Sequence, residues 1–359
     1  MKLIKYFFKY LNIFAAICLI ISNLSIFISP AKLWFPAVFG LSYIYMLFFN
    51  VLFIFIWISV NSKMFLLSLI VILSGFNNLR NYIQIKSKNS SEKGIIICSY
   101  NVRNFAGKTY GKKSKKENSD SIFSYLKKKN PDIICLQETN ISTINKIFQP
   151  KLFNSKEFSS EIYSTKLETN GDPVIYSKYP IINEGKIHFR KTRNMISYAD
   201  LAMNEDTVRI FNCHLQSYRL SNSDISDFND FPFENNKNDV KEILFFNNKL
   251  RQAFVRRAEH ADSLKVYIRE CPYPIIVCGD FNDTPVSYVY HIISKELKDT
   301  FVESGSGIGN SYLGKLPSFR IDYIFHSKEF EGYNFSRDKV EYSDHFPVSC
   351  KLIRKTSAD

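Results

Sequence analysis

The chain has 359 residues, with 47 Lys/Arg against 34 Asp/Glu and a formal charge of +13. Six of those bases and no acid fall within residues 1–85, so the excess is concentrated in an apolar segment, and total charge is excluded as an argument for a nucleic-acid partner. The seven Cys form no C-x-x-C pair, which excludes a thiolate metal cluster by spacing and leaves them as small hydrophobes in apolar runs.

In chain order, Leu11–Ser29 is apolar with scattered polar residues, and Leu33–Val60 runs 28 residues without a charge. Both exceed the length a helix needs to cross a bilayer. A third apolar segment, Met64–Phe76, is shorter and ends in Asn77, Asn78 and Arg80. Residues 1–85 therefore read as a transmembrane anchor of two to three helices, making the protein a multi-pass integral membrane protein. Lys2, Lys5 and Lys9 favour a cytoplasmic N-terminus, which with three spans places the C-terminal part outside the cytoplasm. The Ser, Lys and Asn of residues 86–93 read as a linker.

Beyond it, residues 94–359 switch to short β-branched runs separated by polar helices. Strands are expected at Ile95–Tyr100, Asp132–Gln137, Val174–Ser177, Ser197–Met203, Val208–Leu215, Ile275–Cys278, Ile321–His326 and Val348–Ile353. Helices are expected at Ser119–Lys129 and Gln252–Arg269. Many strands with few helices between them argue for packed sheets with helices outside. The polar stretch Tyr218–Lys249 reads as an insertion.

Polar residues cluster at strand ends, where a rigid scaffold presents side chains to a cleft. Ile95–Tyr100 runs into Asn101, Ile133–Gln137 into Glu138, Val208–Cys213 into His214, and Ile275–Cys278 into Gly279-Asp280-Phe281-Asn282. Asp322 opens a later strand, and Asp344-His345 leads into the last one. Each fragment alone has a structural reading as a cap, turn or satisfied polar group; together, in this order, the set has few structural uses. Oxygen ligands such as Glu138 and Asp322 suit a hard cation, Mg²⁺ or Mn²⁺. Asp280 and Asn282 project to one side if that segment is extended. Asp344 or another carboxylate would set the tautomer and charge of His345.

Six pieces, Ser99-Tyr100-Asn101-Val102, Leu136-Gln137-Glu138, His214-Leu215-Gln216-Ser217, Gly279-Asp280-Phe281-Asn282, Arg320-Ile321-Asp322-Tyr323 and Ser343-Asp344-His345, resemble the endonuclease/exonuclease/phosphatase (DNase I-like) superfamily. The resemblance implies an α+β fold, a four-layer αββα sandwich with the site at one edge of the two sheets. It implies hydrolysis of phosphoester bonds with Glu138 as principal metal ligand, Asn101 beside it and Asp322 at or near the metal. His214 would contact the scissile phosphate or assist the leaving group, Asp280 would position or activate water, Asn282 would hold a phosphate oxygen, and Asp344 would orient His345, which would act as acid/base or stabilise the pentacovalent phosphate. The implied substrate is a lipid, nucleotide or nucleic-acid phosphoester, and no protein partner is expected. Two departures stand out: Arg103 replaces an acid found in several DNA-repair members, and Gly171-Asp172-Pro173-Val174-Ile175-Tyr176-Ser177 replaces the usual Gly-x-Ala-Ile-Leu-Ser. A nuclease proper, or a non-catalytic membrane-tethered binding protein on the same fold, are the alternatives.

Overall fold

The computed structural model describes residues 2–107, 114–148, 162–190, 192–203, 206–218, 237–314 and 318–355. These residues divide into two compact units. The first is helical and comprises residues 2–83, 237–262 and 283–293; the second, starting at Gln84, holds the remainder.

In the helical unit, α1 (Lys2–Ser25) carries no acidic residue and is the one described helix long and apolar enough to cross a membrane by itself. The expected uninterrupted span at Leu33–Val60 is broken. Helix α2 (Phe35–Leu41) and α3 (Tyr43–Ser59) meet at an angle of 67°, and only together would they make a second span. The bend falls between Gly40 and Ser42, a pairing that weakens the helical ladder. The third apolar segment yields α4 (Phe65–Ser74), 10 residues long and thus about 15 Å, half of a bilayer's hydrocarbon core. It is followed by α5 (Phe76–Tyr82). The expectation of two to three spans thus reduces to one candidate helix and one bent pair, and multi-pass topology is not supported.

Side-chain amides join these helices. Asn12 Nδ2 donates to Ser68 Oγ at 2.6 Å, and Trp57 Nε1 donates to Asn12 Oδ1 at 2.9 Å. Asn50 Nδ2 donates to the Ala15 carbonyl, and Asn23 Nδ2 to that of Val71. Such bonds supply interhelical specificity where apolar burial alone gives little.

The second unit contains two six-stranded sheets. One runs β11 (Phe330–Arg337), β12 (Val348–Arg354), β1 (Ile95–Asn101), β2 (Ile133–Gln137), β4 (Val174–Ser177), β3 (Tyr163–Ser164). The other runs β5 (Ile181–His188), β6 (Met195–Met203), β7 (Asp206–His214), β8 (Ile275–Asp280), β10 (Asp322–His326), β9 (Lys298–Asp299). Period-2 alternation sorts their side chains. Ile97, Ile133, Cys135 and Ile175 meet Ala199, Ile210, Ile276 and Ile324 in a core between the sheets. The intervening Cys98, Tyr100, Ile134 and Leu136 pack outward against Ile122 and Leu126 of α6 (Lys115–Lys129). Each such aliphatic side chain contributes about 1.5–3 kcal/mol by leaving water, and a sheet buried on both faces explains the unbroken β-branched runs. All seven cysteines are free.

Helix α6 starts four residues before its expected position because Ser114 and Glu117 form a capping box. It ends on Lys127, Lys128 and Lys129, where cations suit the helix C-terminus, and Lys129 pairs with Asp338 at 2.9 Å. Of the expected insertion, residues 219–236 lie outside the described residues. Residues 237–249 instead begin α7 (Lys237–Glu270), which extends the expected helix by fifteen residues at its N-terminus. Two shorter helices follow, α8 (Tyr288–Ser294) and α9 (Thr300–Ser304).

Candidate active site

Strand register assembles the site. Parallel pairing of β7 with β8 sets His214 opposite Asp280, and antiparallel pairing of β8 with β10 sets Asp280 opposite Asp322. Three polar side chains therefore stand in a row on the inward face, about 4.8 Å apart per strand. In the facing sheet, β1 and β2 end level at Asn101 and Gln137. Glu138 follows with φ +49°, a left-handed backbone that a non-glycine residue adopts only under local constraint. Its carbonyl accepts from Asn104 N.

The two sheets meet at these ends. Asn101 Nδ2 lies 3.2 Å from Glu138 Oε1 and 3.0 Å from Asp280 Oδ2. Asn282, at φ +52°, turns back so that its N–H reaches Asp280 Oδ1 at 2.8 Å and its Nδ2 reaches Asp280 Oδ2 at 3.1 Å. His345 Nδ1 is 2.8 Å from Asp322 Oδ2, and its Nε2 is 3.8 Å from Asp280 Oδ2. The partner of the imidazole is thus Asp322, which the family resemblance assigned to the metal. Asp344, assigned there to orient His345, instead faces Arg103 Nε at 3.1 Å. The physical reason is register: Asp322 points inward beside Asp280, while Asp344 lies in the loop before β12.

Gly279 makes this approach of strands possible. Its φ is +131°, and a Cβ there would come within 2.0 Å of the Cys213 carbonyl oxygen.

The electrostatics divide the carboxylates. Burial opposes ionisation of Glu138, but the hydrogen bond and charge of His214, with Asn101, hold its carboxyl down at about 2. Burial pushes Asp280 up to about 6, against the opposing pull of His345. Burial also raises Asp344. For both imidazoles burial disfavours the cation, yet Glu138 raises His214, and Asp322 with Asp280 raises His345 well above its ordinary value. Both nitrogens of His345 thus face carboxyl groups, which favours its charged form.

Among the described residues, Asp322 Oδ1 is buried here without a hydrogen-bond partner, and His214 Nε2 meets Glu138 Oε1 only at 3.5 Å. Two overlapping groups have ligand atoms within 4.8 Å of one another: Glu138, His214, Asp280 and Asp280, Asp322, His345. The first fits a hard divalent cation, since it offers an ionised, part-exposed carboxylate beside the Asn101 amide. The second fits poorly because both nitrogens of His345 face carboxylates.

All eight residues singled out from the sequence lie along this one edge. Four supporting residues were given no role in that reading, although Gln137 and Ser343 stand within its motif pieces. Gln137 Nε2 bonds Ser99 Oγ and Asn212 Oδ1 across the sheets, and Asn212 Nδ2 bonds the Leu136 and Val174 carbonyls. Ser343 Oγ donates to the Asn101 carbonyl at 2.7 Å, and the Tyr312 ring meets His345 edge-on at 5.2 Å. Amides inside otherwise apolar strands were the available signal for Gln137 and Asn212.

A family model described as the endonuclease/exonuclease/phosphatase family matches residues 98–345. A second, described as a domain of unknown function (DUF8431), matches residues 5–82. Among solved structures, D. rerio TDP2 complexed with a single-strand DNA product aligns at 16% identity and TM-score 0.51, over 73% of this chain and 100% of that one. The human Nocturnin catalytic domain with a bound sulfate anion aligns at 17% and 0.51, over 77% and 99% respectively. Truncated Caenorhabditis elegans TDP2 aligns at 16% and 0.50, over 72% and 97%. These likenesses show the shared fold. No curated protein matches the chain.

Proposed function

Because this chain belongs to the endonuclease/exonuclease/phosphatase family, we propose that it hydrolyses a phosphoester with a divalent metal while tethered to a membrane by its apolar N-terminal helices. The observation that carries this reading is the row His214–Asp280–Asp322 facing Asn101–Glu138, with His345 bonded to Asp322 beside it.

Glu138 would hold Mg²⁺ or Mn²⁺ with Asn101 beside it, whose Nδ2 donates to that carboxylate; a metal held there would polarise a phosphoryl oxygen. Asp280 and Asn282 are arranged to orient a water, the carboxylate accepting its hydrogen and the amide fixing its line of approach. His345 would offer an Nε2–H to the phosphoryl oxygens, and Asp322, bonded to Nδ1, would fix the orientation of the ring. His214, paired with Glu138 at 3.5 Å, offers a second donor on the leaving-group side.

The substrate class is a phosphoester of a lipid, nucleotide or nucleic acid. A nuclease reading draws support from the single-strand DNA product held by the D. rerio relative. It predicts binding to polynucleotides that falls steeply with salt.

Full-length protein in detergent micelles should hydrolyse bis(4-nitrophenyl) phosphate with Mg²⁺ or Mn²⁺, and EDTA should abolish turnover. Asp280→Asn and His345→Ala should each lower kcat by about 10³-fold. Undiminished activity in either variant would sink the mechanism.

A further inference from the structure

Among the described residues eight non-glycine positions have a left-handed backbone, and five of them, Arg103, Asn104, Phe105, Glu138 and Asn282, border the candidate site. Arg103, Asn104 and Phe105 are consecutive, with φ of +47°, +52° and +59°. Asn tolerates such values, whereas Arg and Phe pay more because the Cβ crowds the following carbonyl. A run of this kind persists only where its surroundings over-determine it. Here they do. Phe105 has no exposed surface and packs in the outer cluster with Ile122 and Phe148. Its carbonyl accepts from Asn118 Nδ2 at 3.2 Å. The Arg103 guanidinium reaches the Gly107 carbonyl at 3.0 Å and Asp344 at 3.1 Å.

The left-handed turn aims two main-chain N–H groups at the site. Arg103 N donates to Asn101 Oδ1 at 3.0 Å, and Asn104 N donates to the Glu138 carbonyl at 2.6 Å. The first bond fixes the Asn101 amide: with its oxygen facing an N–H, its nitrogen is turned to the two carboxylates it meets, Glu138 and Asp280. The reverse orientation would set an amide oxygen against carboxylate oxygens. The second bond holds Glu138 itself, whose own φ is +49°. A right-handed turn at residues 103–105 would carry both N–H groups away. We propose that Arg103–Phe105 is a strained brace that presets the Asn101 amide and the Glu138 carboxylate for the metal, with Asn104 as its positioning residue.

The role of the brace rests on the metal-binding reading of Glu138, and the test keeps the two apart. Mn²⁺ alone is titrated calorimetrically into full-length protein in detergent micelles, and kcat is read on bis(4-nitrophenyl) phosphate. Asn104→Val makes the left-handed backbone costly, since a β-branched residue is an outlier there. Loss of a group that orients a metal ligand costs about 10–100-fold, so the Kd for Mn²⁺ should rise, and kcat should fall, by at least about tenfold. Asn130→Val is the control: Asn130 is exposed, has φ +47° and precedes β2, at the end opposite Glu138. It should lower Tm as Asn104→Val does, yet leave Kd and kcat within about twofold. Wild-type Kd and kcat in Asn104→Val, or an equal loss in Asn130→Val, would overturn the brace. Should Asn104→Val fail to fold, Asn104→Ala, with a smaller left-handed cost, decides by the same readings. A wild-type chain that binds Mn²⁺ without turnover would overturn the functional reading and leave Kd to judge the brace. If wild type binds no Mn²⁺, the metal role of Glu138 fails, and amide hydrogen exchange at residues 101–105, expected to be faster in Asn104→Val, decides whether the turn holds Asn101.

Discussion

At the residue scale, the candidate site turns on which acid serves His345. Asp322 bonds its Nδ1 at 2.8 Å, while Asp344 is neutralised by Arg103. A ring that loses the carboxylate on its Nδ1 loses both its fixed orientation and support for its charged form, so Asp322→Asn should lower kcat by about 10²-fold or more. Asp344→Asn should cost less than about tenfold, because the group acts on Arg103 rather than on the ring. Steady-state kinetics of the two variants under saturating metal would decide, and the reverse ranking would refute the geometry. The eight residues were legible in the sequence because each ends or opens an apolar strand. The division of labour between Asp322 and Asp344 was not. It depends on the pairing of Asp322 with Asp280, a fact of register between segments about forty residues apart that no local pattern carries.

At the element scale, eight strands were readable from β-branched runs and four were not: β3 and β9, of two residues each, and the longer β5 and β11. Strand β5 reads Ile-Ile-Asn-Glu-Gly-Lys-Ile-His and β11 reads Phe-Glu-Gly-Tyr-Asn-Phe-Ser-Arg. Both are edge strands, where polar residues and glycine blunt further pairing and blur the alternation. Strand β11 is tied to α9 through Glu303, whose carboxylate accepts from Gly332 N at 2.8 Å and meets His326 Nε2 at 2.6 Å. Burial opposes the charge on Glu303, but the His326 contact outweighs it and lowers the carboxyl from its ordinary 4.5. A depressed folded-state value gives stability that is fully present above pH 4.5 and lost as pH falls through the folded value. Glu303→Gln should therefore cost about 1 kcal/mol at pH 7. The gap between the two proteins in thermal or urea unfolding should shrink as pH falls below 4.5; a gap that stays constant would refute the linkage. Gly279→Ala belongs to the same scale. With φ +131° and no room beside Cys213, it should destabilise the β7–β8 pair by about 2 kcal/mol or more, read as a lower urea midpoint.

At the scale of the whole molecule, the sequence suggests an anchor, a linker and an enzyme strung in order, but the compact units are not so divided. Residues 84–90 are strapped to the sandwich: Gln84 bridges Gly307, Asn334 N donates to the Lys88 carbonyl, and Ser90 N donates to Asn334 Oδ1. Residues 283–293, far along the chain, pack instead with the N-terminal helices. That exchange was illegible because Val286 and its neighbours look like any amphipathic segment, and only the partner helices show where they go. It makes a prediction a simple tether does not share. A protease site placed at Ser90–Ser91 in the full-length chain, then cut in detergent, should leave two pieces that co-elute, since Val286, Phe27 and Gly40 still hold residues 283–293 against α1 and α2. Val286→Ser puts a hydroxyl into that apolar cluster and removes about 2 kcal/mol of burial, so the cut pieces of this variant should separate. Size-exclusion chromatography reads both results. Free elution of the cut wild-type pieces would show that covalent continuity alone joins the helices to the enzyme.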